Sequence, residues 1–293
     1  IGVSRGLGDV YKRQLYEGMR LDKFIIDRIS IPFSLAQGQI RKKNIRVNNS
    51  KSSSNYKLQM SDVVSVHRNF EDVPIKRKPI DIPKKLKKKL HDSILYQSDD
   101  FIILNKWSGI ACQRGNNVSI SIDDLIRVLQ NDKVEPKLVH RLDKETSGLL
   151  IIALNKSTAR YFQNEFKNLK IEKTYSAIVE NEPKHLKGSF ENSINDNGKE
   201  LKAITSYKVK RKLKSDLFLL ELKPTYGRKH QIRLHCAKNN CPILGDKKYN
   251  VNSVYKKKVK NLYLHAKKLK FVSPIGKTIN IKVNEPVYFK DYL

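Results

Sequence analysis

The sequence predicts an α+β protein of two units joined by a basic stretch, on three observations. Leu149–Leu154 is an unbroken run of Leu, Ile and Ala, which suits a short strand buried on both faces. Apolar residues recur at helical spacing at Leu21, Phe24, Ile25 and Ile29, and again at Ile122, Leu125, Ile126 and Leu129, giving amphipathic helices. Between these patterns, Lys and Arg crowd Lys76–Leu90 against the single acid Asp81, with Pro79 and Pro83. Like charges and prolines favour an extended tether. The expected division is therefore 1–14 as a leader, 15–68 as a small domain, 69–92 as a linker and 93–293 as the main domain.

Residues 1–14 hold Gly2, Gly6 and Gly8, keep no period and lack an initiator Met. They read as a disordered leader or a foreign sequence scar. In the small domain, the helix over Leu21–Ile29 should end at Pro32. Ser34 can cap a second helix, Leu35–Lys43, with a basic end. Ile45–Asn48 and Val63–Val66 read as short strands.

In the main domain, Ile94–Tyr96 and Phe101–Lys106 read as two strands turning at Asp99-Asp100. Ser119 or Ser121 can cap the Ile122–Leu129 helix. Ser157 starts a helix with Ala159, Phe162 and Phe166 inward. Lys173–Val179 and Leu217–Leu222 read as strands, with residues 188–209 as an insertion between them. His230–Asn239 reads as a helix, and Leu262–Ala266 and Ile279–Val283 as late strands.

The formal charge is +30, from 59 basic and 29 acidic residues. Such an excess asks for a polyanionic partner, nucleic acid first and an anionic membrane second. Lys, Asn and Ile are plentiful, so an AT-rich coding sequence accounts for part of the excess. No apolar run is long enough to span a bilayer, no secretory h-region is seen, and the basic linker lacks the apolar, aromatic face of a membrane-surface helix. Cys112, Cys236 and Cys241 complete no metal-ligand spacing and read as reduced thiols. No phosphate-cradling glycine motif occurs, so no cofactor and no metal are expected.

The chemistry concentrates just before the buried strand. His140–Gly148 carries His, opposite charges, Thr, Ser and Gly, a loop composition. A carboxylate on a loop locked to a central strand is a common catalytic placement. The contiguous run His140-Arg141-Leu142-Asp143-Lys144-Glu145-Thr146-Ser147-Gly148-Leu149-Leu150 resembles the catalytic signature of the RluA-type pseudouridine synthases. Lys173-Thr174-Tyr175-Ser176-Ala177-Ile178-Val179 resembles that family's second motif. Thr225–His235, continued by Cys241–Tyr249, resembles its third. Asn105-Lys106-Trp107-Ser108-Gly109 resembles its Asn-Lys-Pro-x-Gly turn, with Trp107 in place of Pro, and Cys112-Gln113 stands where a His is common. Residues 20–24, 40–48 and 62–64 resemble an S-four-like RNA-binding domain, with Gln37-Gly38-Gln39 where Ser-Arg is usual.

The resemblance implies a catalytic domain on a mixed, largely antiparallel sheet. It also implies an isomerase that turns specific uridines of RNA into pseudouridine. Bacterial large-subunit ribosomal RNA is the first expected substrate, and transfer RNA is the alternative. A non-catalytic RNA-binding assembly factor that kept the fold is the second class. The protein is expected to act as a cytoplasmic monomer, with a mitochondrial setting as the alternative.

By the same resemblance Asp143 is the nucleophile or base, where an isolated loop Asp would be read as a turn cap. Arg233 pairs with it, where it would otherwise be a phosphate-binding surface Arg. Tyr175 stacks on the extruded base, against a plain core tyrosine. Arg141 fills the gap left by that base or clamps its phosphate, against a surface pair with Glu145. His140 is placed at the substrate, more as an orienter of the loop than as a titrating group. His230 and Gln231 shape the pocket wall. Arg41, Lys42, Lys43 and Arg46 would contact RNA, against a solvated basic face.

Overall fold

The computed structural model describes residues 16–29, 31, 33–66, 81–114, 118–196 and 198–293. The expected leader, Pro32, the 69–80 part of the basic stretch and the side chain of Ser34 lie outside them. The chain divides into two compact units, Ile1–Ile80 and Asp81–Leu293.

In the first unit, α1 (Leu21–Ile29) and α2 (Phe33–Arg41) precede an antiparallel pair, β1 (Ile45–Val47) and β2 (Val64–Val66). Leu21, Phe24, Ile25, Ile31, Ala36, Ile40, Ile45 and Leu58 form its core. Gln37 and Gln39 have internal partners. Gln37 Nε2 donates to buried Asp22 at 3.2 Å, and Gln39 Oε1 accepts from Asn44 at 2.7 Å.

The second unit opens with a helix. The stretch expected to be extended is helical at its end, as α3 (Lys84–Asp92). Leu86 and Leu90 lie one turn apart, and Leu90 is fully buried. That short apolar stripe outweighs the like charges around it. Then come β3 (Ile94–Gln97), β4 (Phe101–Lys106) and α4 (Ile122–Leu125). A reciprocal capping box of Ser121 and Asp124 starts α4. The expected long helix gives way after one turn to a 3-10 segment, Ile126–Leu129.

Next are β5 (Lys137–Leu138), β6 (Ser147–Ala153) and α5 (Lys156–Lys167). Asn155 caps α5 by accepting the Thr158 N–H at 2.8 Å, two residues before the expected start at Ser157. Strands β7 (Glu172–Glu180), β8 (Lys187–Phe190), β9 (Ile194–Asp196), β10 (Lys199–Leu201), β11 (Thr205–Lys212) and β12 (Leu217–Pro224) follow. Residues 188–209, expected as an insertion, thus include two strands of the main sheet, β8 and β11, and the separate β9–β10 hairpin. The chain finishes with α6 (Gln231–Lys238), β13 (Leu264–Val272) and β14 (Thr278–Lys282).

The main sheet runs β3-β4-β6-β13-β7-β12-β11-β8, with β5 beside β6 and β14 beside β13. Its named pairings are antiparallel except β6 with β13, where Ser147 faces His265 and Gly148 faces Ala266. The mixed, largely antiparallel sheet expected from the sequence is what forms. All seven residues of β6 are buried. On one side Phe101, Ile103, Leu149 and Ile151 pack with Phe162 of α5. Further along the sheet, Ala177, Ile178, Leu220 and Leu222 pack with Ile232 and Cys236 of α6. Among the described residues, no helix is long and apolar enough to cross a membrane.

Candidate active site

Asp143 sits on the loop between β5 and β6, and that loop is tied down along its length. The His140 ring packs on Phe166 with centroids 4.5 Å apart, and its Nε2 accepts the Ile151 N–H at 2.9 Å. Burial, helped by the nearby Lys173 charge, lowers the His140 pKa to about 3. The ring is therefore neutral, as an acceptor must be. The Leu142 N–H donates to Cys112 Sγ at 3.2 Å. Ser108 Oγ donates to the Glu145 carbonyl at 2.8 Å, and the Gly109 N–H to the Lys144 carbonyl at 3.0 Å.

Lys106 is the central fastener. Its side chain is fully buried at the end of β4. Nζ donates to the carbonyls of Ile110 at 2.9 Å and of Trp107 and Lys144 at 3.1 Å. Burial lowers its pKa to about 8, partly offset by Cys112, Glu145 and Asp143. One ammonium thus joins the 106–110 turn to the residue after Asp143.

Gly148 fixes where the loop enters the sheet. Its φ is +112°, and a Cβ there would lie 2.6 Å from the Ala266 nitrogen. Only glycine allows β13 to come this close.

The opposite wall comes from α6 and the loop after it. Arg233 Nε and Nη2 each donate to an Asp246 oxygen at 2.7 Å, while Nη1 reaches Asp143 Oδ2 at 3.4 Å. Burial opposes the guanidinium charge, but the two carboxylates outweigh it and raise the Arg233 pKa. Burial likewise opposes the Asp246 charge. Arg233 and the N–H groups of Lys248 and Tyr249 overcome that and lower its pKa. Asp246 is 2% exposed, so this pair is shielded from solvent screening. Gly245, with φ +78°, sets it in place where a Cβ would lie 2.9 Å from Asn261 C.

His230, in the left-handed region with φ 56°, precedes α6. Its Nε2 lies 3.6 Å from Asp143 Oδ1, and its Nδ1 shares a 2.8 Å hydrogen bond with Tyr249 Oη. Burial lowers its pKa; Asp143 opposes this, and Arg233, Lys248 and Lys229 add to it. Tyr175, half-buried on β7, has its pKa raised by burial, then by the charges of Asp143 and Cys112. It stays a neutral phenol. Arg233 Cζ stands 5.2 Å from the Tyr249 ring centroid.

Gln231 is spoken for internally. Its Nε2 donates to the Ile204 carbonyl at 2.9 Å and Thr205 Oγ1 at 3.1 Å, and its Oε1 accepts the Arg228 N–H at 3.2 Å. Thr205 also bonds His235 Nδ1 at 2.9 Å, and His235 Nε2 donates to the Asn192 carbonyl at 2.9 Å. Arg141 is exposed and has no ion pair with Glu145 or any other acid among the described residues. In the first unit Arg41, Lys42 and Lys43 are exposed, and Arg46 Nε donates to the Lys43 carbonyl at 3.3 Å.

The structure therefore brings Asp143, Arg233 and His230 together, with Tyr175 close enough to feel the Asp143 charge. Sequence reasoning gave no role to Asp246, Tyr249 or Lys106. The signal was present in the quoted runs Cys241–Tyr249 and Asn105–Gly109.

Comparison with known proteins gives one family. The RNA pseudouridylate synthase model matches residues 100–238. Ribosomal large subunit pseudouridine synthase C of Rickettsia bellii is 36% identical over 298 residues, covering 92% of this chain and 95% of its own. The protein of the same name from Buchnera aphidicola subsp. Schizaphis graminum is 32% identical, covering 97% and 96%. Among solved structures, Human RNA Pseudouridylate Synthase Domain Containing 4 superposes with a TM-score of 0.58 at 29% identity, covering 70% of this chain and 93% of that one.

Proposed function

This chain belongs to the RNA pseudouridylate synthase family and isomerises uridine in RNA to pseudouridine, and we propose that its substrate is large-subunit ribosomal RNA, with Asp143 as the catalytic carboxylate. The relatives named above carry that substrate in their names and align with nearly the whole chain. Their bacterial origin supports a cytoplasmic setting.

The reaction breaks the bond between uracil and its sugar and rejoins the ring through carbon. A stacked target must first leave the helix, at a cost of a few kcal/mol. Arg141, exposed two residues before Asp143, fills the gap or clamps the target's phosphate. Tyr175 offers a neutral aromatic face to the extruded base. Asp143 works as the carboxylate at the sugar or the ring, a role with precedent in glycosidic chemistry. Arg233 keeps it aimed, and His230 lines the other side of the carboxylate. His140 and Gln231 act as orienters of the two walls, since their polar atoms already have protein partners. In the first unit, Arg41, Lys42, Lys43 and Arg46 hold RNA phosphates.

The observation that carries the reading is the Asp143–Arg233 contact, made by residues from the first and third signature runs. Pseudouridine mapping of total RNA from cells with and without the gene tests it. Loss at specific large-subunit sites supports activity and substrate together. Loss confined to transfer RNA keeps the chemistry and overturns the substrate. No change anywhere favours an RNA-binding assembly factor.

A further inference from the structure

We propose that α3 is an RNA-docking element built into the catalytic unit, gripping phosphates beside the loop that carries Asp143. This rests on the reading above, that the chain acts on RNA.

Lys84, Lys87, Lys88 and His91 fall at i, i+3, i+4 and i+7, and all are exposed. The three lysines form one cationic stripe along the helix, and His91 continues the same face. The opposite stripe is Leu86 and Leu90, with Leu90 fully buried. None of the five lysines of α3 is in an ion pair among the described residues. Lys89 anchors the helix instead, its Nζ 4.7 Å from the Trp107 ring centroid. Trp107 belongs to the turn that Lys106 and Ser108 fasten to Lys144 and Glu145. The helix is thus connected to the Asp143 loop by a short chain of direct contacts.

The helix's own stability does not explain this composition. Lys84 and Lys85 stand in a first turn that holds no acid and has no side-chain cap, at the positive end of the helix dipole. Lys84 with Lys88, and Lys85 with Lys89, are like charges one turn apart, which repel. A row of phosphates would relieve both. A bilayer would not, because the apolar stripe that could enter it is turned into the protein.

The test compares wild type, Lys84→Gln/Lys87→Gln/Lys88→Gln, and a charge-matched control, Lys208→Gln/Lys210→Gln/Lys214→Gln, whose lysines are also exposed. Turnover of ribosomal RNA is measured across salt concentrations. In the α3 variant KM rises at low salt, the effect falls on KM rather than kcat, and the slope of log KM against log salt drops by about 2 to 3. Its thermal midpoint holds or rises, since repulsion is removed. The control keeps the wild-type slope. An unchanged slope in the α3 variant overturns the proposal, as does an equal drop in the control. Loss of sedimentation with phosphatidylserine vesicles at an unchanged RNA slope would reassign the helix to a membrane. If wild type itself makes no pseudouridine, the functional reading fails instead, a result distinct from any of these.

Discussion

Asp246 grips Arg233 on two nitrogens at 2.7 Å and leaves the third, Nη1, facing Asp143 at 3.4 Å. All three guanidinium nitrogens are thereby assigned. A planar fork held from one side has little freedom to turn. The buried carboxylate behind Arg233 therefore sets the geometry of the carboxylate in front of it.

Asp246→Asn should lower kcat by about 100-fold with a smaller effect on KM, because Arg233 then no longer aims at Asp143. It should also lose about 3–5 kcal/mol of stability, as a buried guanidinium loses its main partner. Steady-state kinetics and denaturant melts check both. A wild-type kcat in a folded Asp246→Asn protein would show that Asp246 positions nothing. Arg233→Lys should not restore turnover to any Asp246 variant, since an ammonium cannot make the two-pronged contact.

Lys106→Met removes the donor shared by three carbonyls, of which the one on Ile110 is buried. The cost should be about 1–3 kcal/mol, seen as a thermal midpoint lower by roughly 2–12 °C for a unit of this size. Proteolysis within 140–146 should quicken with it. An unaltered cleavage rate there would mean that the loop is held without Lys106.

Gly148→Ala places a methyl against the Ala266 backbone at a positive φ. A loss of at least about 3 kcal/mol is expected, and soluble yield with circular dichroism would report it. A stable Gly148→Ala protein would contradict the close approach of β13.

Much of the fold was legible because its determinants are local. The β6 strand announces itself as a continuous apolar run buried on both faces, and α1 by its spacing. Helix α3 was not legible, since two leucines among five lysines look like a tether until Leu90 is seen buried. Of the site, Asp143, Arg233 and Tyr175 were named through the motifs they belong to. Asp246 was missed because its meaning lies in a partner on another element, brought near by the turn at Gly245. Lys106 was missed because a lysine at a strand end is ordinarily solvated, and here it is fully buried.

Two strongly depressed histidines contribute to the pH dependence of folding. Burial lowers His140 to about 3 and, against the pull of Glu285, lowers His265 to about 4. Each lies below the 6.5 of an unfolded histidine, so the unfolded chain binds the extra protons. Stability should be full above pH 6.5 and fall as pH drops towards 4. Thermal melts of His140→Gln should show a shallower acid slope than wild type, with His265 and the other depressed histidines, His230 and His235, supplying part of the remainder. An identical slope would remove His140 from this account.

The most direct test of the central claim is pseudouridine formed in ribosomal RNA by purified wild type and Asp143→Asn, with RNA binding measured on the same preparations. The expected result is no product from Asp143→Asn while it still binds RNA like wild type. Turnover retained in Asp143→Asn would contradict the assignment of Asp143 as the catalytic carboxylate.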